Sequence, residues 1–126
     1  MRLLVDSHVA LWWLEDNEML SEGCRTAIDT ADEVFFSAAT VWELGIKRAL
    51  GKLHFPDGLA DALVAAGFAE LTITSAHADA AARLPAHHRD PFDRMLIAQA
   101  QLESMTLVTA DRSVEPYDVD TLDARA

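Results

Sequence analysis

Short apolar runs alternate with helical segments along this chain, and that alternation limits its fold more than any other feature. Leu3, Leu4 and Val5 form an unbroken apolar run that stops at Asp6, as a parallel strand buried on both faces does. Val34 to Phe36 and Leu71 to Ile73 give further strands, and Leu107 and Val108 give another that runs into Thr109, Ala110 and Asp111. The tail from Tyr117 to Leu122 adds a short edge strand. Between the strands, Ser7 can cap one helix, and Ser21 followed by Glu22 starts a second that continues through Ala27 and Ile28. Ser37 caps a helix from Ala38 to Leu50, with Gly51 as its stop. Pro56 opens the stretch LADALVAA, closed by Gly67, an Ala-rich helix runs from Ser75 to Arg83, and Phe92 to Glu103 has helical composition without a breaker. This order specifies an α/β fold of three layers, helices on both faces of a mostly parallel sheet.

A chain of 126 residues suits a single domain spanning 1–126. Its formal net charge of −11 argues against a generic basic nucleic-acid binder, which gains affinity by neutralising many phosphates. Acidity does not exclude RNA, because one bound divalent cation reverses the field that an approaching phosphate meets. Cys24 is the only cysteine, which removes intramolecular disulfides and thiolate-rich metal sites and suits a reducing cytoplasm. Val9 to Leu14 is too short an apolar run for a signal core or a membrane span, so neither a targeting segment nor a membrane role is expected.

In parallel sheets ligands bind beyond the carboxyl ends of the strands. Asp6 and Asp111 each follow a strand, and Glu43 and Asp93 fall near helix starts, which lie at the same edge. Four carboxylates gathered there would repel one another unless a cation sat among them. Mg²⁺ or Mn²⁺, hard ions that prefer carboxylate and water oxygens, are the natural occupants.

Three segments carry a family likeness: LLVDSHVALWW, SAATVWELGIKRALGKL and HRDPFDRMLIAQAQLESMTLVTAD. In this order and spacing the chain resembles the PIN-domain family over nearly its whole length, and within it the VapC-like toxins of toxin–antitoxin pairs. The resemblance implies a three-layer PIN-like fold and a metal-dependent ribonuclease. It also implies an RNA substrate, a small cognate antitoxin that blocks the site, and a homodimer. Carried over by motif, the catalytic acids are Asp6, Glu43, Asp93 and Asp111. On that resemblance Asp6 and Asp93 would hold Mg²⁺ or Mn²⁺, while Glu43 and Asp111 would position water or a second ion. Attack by an activated water on phosphorus would leave a 5′-phosphate and a 3′-hydroxyl.

Ser7, Asp90 and Thr109 are supporting residues, with Asp90 before Pro91 reading as a helix cap. Arg94 and Arg112, each beside a site acid, and Arg89 and Lys47 are candidate RNA contacts. The five histidines show no zinc spacing and read as surface or loop residues, with His87 and His88 as further RNA contacts. Two other functions fit parts of the pattern. An aspartate-based phosphatase or phosphoacceptor also places Asp after a strand, but a dehalogenase-like site needs a second Asp where His8 stands. An inactive scaffold that only binds a partner protein has no need of all four acids.

Overall fold

The computed structural model describes all residues from Met1 to Ala126. The chain runs through β1 (Arg2–Val5), α1 (Ser7–Glu15), α2 (Glu22–Thr30), β2 (Glu33–Ser37), α3 (Ala38–Ala49) and α4 (Leu59–Ala65). It continues through β3 (Ala69–Leu71), α5 (Ser75–Arg83), α6 (Pro91–Glu103), β4 (Thr106–Thr109), a single 3-10 turn (Arg112–Val114) and β5 (Thr121–Asp123).

All five strands pair in parallel, in the order β3-β2-β1-β4-β5. The apolar run of β1 explains its central place, since Leu3, Leu4 and Val5 are wholly buried. Successive residues of a strand face opposite sides of the sheet. Leu3 and Val5 therefore join Val34, Phe36 and Val108 in one core, closed by Val9 and Ala10 of α1, Cys24 and Ile28 of α2, and Leu63 of α4. Leu4 points the other way, into a second core with Leu107 and with Leu96, Ile97 and Ala100 of α6. The result is the three-layer α/β/α arrangement, and no helix is long and apolar enough to cross a membrane.

Three elements depart from the sequence reading. The third strand lies at 69–71 rather than 71–73, because its partner β2 ends where Ser37 leaves the sheet to cap α3, and Ser37 pairs with Leu71. Thr74 then caps α5 with a reciprocal bond to His77, which turns the chain away before Ile73 can pair. The fourth helix starts at Leu59 rather than near Pro56, behind Gly58, whose φ of 84° is a left-handed conformation suited to glycine. The last strand is only Thr121–Asp123, because Tyr117 is drawn into the second core.

The strand order fixes where a site can form. From β1 the chain builds outward through β2 and β3 on one side and through β4 and β5 on the other, so the connections after β1 and β4 diverge and leave a crevice between them. The core beneath that crevice is tightly specified. Replacing the buried Leu96 by Ala is expected to lower unfolding free energy by about 2 to 5 kcal/mol, measured as a reduced urea midpoint at unchanged m-value.

Candidate metal centre

Asp6 emerges at the crevice directly from β1. Its backbone N–H donates to the Val108 carbonyl at 3.0 Å, extending the β1–β4 ladder by one residue. Its side chain, and not that of Ser7, caps α1: Oδ1 accepts from the Val9 N–H at 2.8 Å. Ser7 sits one position inside the helix and is free for another role. Asp6 Oδ2 accepts from the Thr109 hydroxyl at 2.6 Å, and Thr109 Oγ1 accepts in turn from the Asp111 N–H at 3.0 Å. A chain of donors thus joins the loop after β4 to the acid after β1.

Glu43 lies in α3, buried, and both of its oxygens are engaged. Ser7 Oγ donates to Oε1 at 2.5 Å and Lys47 Nζ lies 3.0 Å from Oε2. Lys47 is one helical turn further on, so the pair is a natural i,i+4 neighbour. At the start of α6, Asp90 caps the helix through the N–H groups of Phe92 and Asp93, with Pro91 in the first turn where its missing N–H costs nothing. That cap orients Asp93 into the crevice, where its Oδ2 stands 2.8 Å from His88 Nε2. Asp111 reaches the same imidazole at 3.3 Å.

These elements enclose a cavity of about 400 Å³ lined by Asp6, Ser7, His8, Trp12, Glu43, Lys47, His88, Asp90, Asp93, Ala110 and Asp111. All four acids singled out from sequence line it. The basic residues divide differently. Lys47 faces the cavity, whereas Arg89 and Arg112 are exposed outside its lining. Arg94, expected to touch RNA, instead spends its guanidinium on the carbonyls of Ala81, Leu84, Pro85 and His88 at 2.8 to 3.2 Å. Its position one residue beyond Asp93 turns it away from the crevice and toward the preceding loop.

The family model for the PIN domain matches residues 3–120. The chain belongs to the PIN domain family. It is 33% identical over 123 residues to Ribonuclease VapC22 of Mycobacterium tuberculosis, with 91% of each chain covered. Among solved structures it is similar to a chain of VapBC2 from Rickettsia felis, a complex bound to a DNA fragment from its promoter. That match has a TM-score of 0.73 at 11% identity and covers 98% of both chains. A chain of a toxin–antitoxin complex from Klebsiella pneumoniae matches with a TM-score of 0.68 at 15% identity over 97% of both. These structural likenesses establish the fold of this PIN domain.

Within the PIN domain two of the acids, Asp93 and Asp6, are held at a cost that the protein's own groups do not cancel. Burial pushes the Asp93 carboxyl up to about 6, with Asp90, Glu43 and Asp111 adding repulsion that His88 only partly offsets. Burial also raises Asp6, against the bonds from Thr109 and Val9. Asp111 differs: partial burial works to raise it, but the N–H and hydroxyl of Ser113 and the His88 ring hold it below the ordinary value. Buried, mutually repelling carboxylates such as Asp6 and Asp93, whose ionised form burial disfavours, fit a hard divalent cation, whose charge would offset both penalties.

Of the histidines read from sequence as surface or loop residues, His77 is buried and His8 and His88 line the cavity, and of these His88 is the one against two of the site acids. Its two acidic partners lie at different places in the chain, so spacing alone carried no signal for it. A better clue was local: His88 stands two residues before the helix cap Asp90, where a loop side chain reaches the same edge as the first helical turn.

The sign of a pH effect follows from Asp93. Its raised value means that the folded protein favours the neutral acid, so this contribution to stability is full below the ordinary carboxylate pKa and is lost as pH rises through about 6. In chelator, the wild-type melting temperature is expected to fall between about pH 4 and 6, while Asp93→Asn flattens that fall and melts higher at pH 7. Parallel profiles for the two proteins would contradict the assigned cause.

Proposed function

We propose that this chain is a metal-dependent endoribonuclease and the toxin of a toxin–antitoxin pair, with residues 1–126 acting as one domain. The single observation that carries the proposal is the meeting of Asp6, Glu43, Asp93 and Asp111 around one cavity at the carboxyl edge of the sheet. Similarity to a relative named as a ribonuclease, over 91% of both chains, supports RNA as the substrate. The toxin–antitoxin complexes among the structural neighbours support a small antitoxin as partner.

Asp6 and Asp93 would hold Mg²⁺ or Mn²⁺, with Asp111 completing the open side. A divalent ion there supplies a lowered pKa for water and neutralises charge developing on the scissile phosphate. The chain's own residues do the remaining work. Thr109 fixes the rotamer of Asp6 through a 2.6 Å bond, and Ser7 fixes that of Glu43. Glu43, oriented from both oxygens, is placed to accept the proton of an attacking water, and the Lys47 ammonium beside it both restrains the carboxylate and offers a positive charge to a phosphate. Water as nucleophile leaves a 5′-phosphate and a 3′-hydroxyl, and the 2′-hydroxyl has no required part.

Exposed apolar side chains at Trp42, Ile46 and Leu50, spaced one turn apart along and just beyond α3, support self-association as a homodimer. A cytoplasmic setting, where RNA and a reduced Cys24 coexist, belongs to the same proposal.

Purified protein is expected to cleave RNA with Mg²⁺ or Mn²⁺ and to stop on chelation, giving products with 5′-phosphate ends. Asp6→Asn and Asp93→Asn should each lower the rate by about 100- to 1,000-fold, the loss that follows removal of one transition-state contact. Cleavage that ignored chelation, or that survived both substitutions, would overturn the mechanism.

A further inference from the structure

The loop from Leu84 to Asp90 is held more firmly than a connection between two helices requires. The Arg94 side chain binds four carbonyls of this loop and of the end of α5, using four of the five N–H donors of its guanidinium. Tyr117, buried in the second core, adds a further anchor: its hydroxyl accepts from the His88 N–H at 2.8 Å and donates to the Pro85 carbonyl at 2.8 Å. Both anchors converge on His88, fixing its N–H and its carbonyl. What the loop delivers at that fixed point is one imidazole, directed into the metal centre.

The ring is turned in a defined way. Its Nδ1 accepts from the Asp90 N–H at 3.4 Å, so the proton of the neutral ring lies on Nε2, facing Asp93 Oδ2 at 2.8 Å and Asp111 Oδ2 at 3.3 Å. Ligation of a metal by Nε2 would move that proton to Nδ1, opposite a backbone N–H. A histidine that ligates metal has an acceptor behind it, not a donor. His88 is therefore built to donate to Asp111 with Asp93 close against the same nitrogen. No hydrogen bond joins Asp93 directly to Asp111, which come from α6 and from the loop after β4. The ligand atoms of His88, Asp93 and Asp111 nevertheless lie within 4.8 Å of one another.

We propose that His88 is a positioning residue of the metal centre, whose imidazole, donating from Nε2 to Asp111 and lying against Asp93, keeps the two carboxylates together at ion-binding separation, with Arg94 and Tyr117 holding it in place. A carboxylate oxygen has lone pairs enough to accept this bond and still face an ion. The inference rests on the metal-centre reading and adds to it the device that gathers two of the acids.

The test is titration of Mn²⁺ alone into full-length, metal-free protein without RNA, with free Mn²⁺ followed by its electron paramagnetic resonance signal. His88→Ala is expected to weaken Mn²⁺ binding about 10- to 100-fold, as loss of an outer partner of a metal ligand does. His88→Gln, which keeps an N–H at the end of a side chain of similar reach, should recover most of that loss. Tyr117→Phe, which removes only the anchoring hydroxyl, should weaken binding in the same direction. Unchanged or tighter binding by His88→Ala, or a Gln variant no better than Ala, would overturn the proposal while leaving the centre intact if Asp93→Asn abolishes binding. Wild-type protein that bound no Mn²⁺, or an Asp93→Asn variant that bound it normally, would overturn the centre and the role of His88 together.

Discussion

Mutual repulsion among carboxylates crowded at one sheet edge is the constraint on which the rest of this structure depends. Placing Asp6, Glu43, Asp93 and Asp111 around one cavity costs free energy through desolvation and like charge, as the raised carboxyl of Asp93 records. Almost every polar contact nearby answers that cost. Thr109 donates to Asp6, Ser7 and Lys47 hold Glu43, His88 bridges Asp93 and Asp111, and Asp90 caps the helix from which Asp93 projects. The arrangement restrains the acids without satisfying them fully, which leaves a deficit of positive charge at their centre.

The parallel sheet makes that crowding possible. With β1 and β4 adjacent and their following connections diverging, Asp6, the first residue beyond β1, and Asp111, the second beyond β4, are carried to the crevice by strand geometry. Helices α3 and α6 then approach the same edge with their N-terminal halves, bringing Glu43 and Asp93. The buried Leu3–Val5 run of β1 anchors the platform, and the two cores on its faces keep it rigid enough to hold side chains against their repulsion.

Much of this was legible in the chain. Runs such as Leu3–Val5 announce buried parallel strands, and acids directly after them announce the edge at which a site forms, because both signals are local. The parts that were not legible depend on partners distant in sequence. Whether Ser7 or Asp6 capped α1 turned on Glu43 being close enough to take the serine hydroxyl. The end of β3 was set by where β2 ran out of strand, and Tyr117 was pulled from a strand into a core by apolar neighbours on α6 and β4. Arg94 looked like an RNA contact beside a site acid, yet four carbonyls at the end of α5 and in the following loop take its donors. His88 read as a loop residue in reach of RNA, and not as a partner of the acids, because both of its acidic partners are assembled only by the fold.

Anomalous scattering from crystals soaked in Mn²⁺ tests the central claim most directly, since it reports location and metal use in one measurement. A single strong peak bounded by the carboxylates of Asp6 and Asp93, absent from crystals of Asp93→Asn, is the result the account predicts. A map with no peak in that cavity, or with Mn²⁺ only on exposed acids elsewhere on this acidic surface, would contradict it.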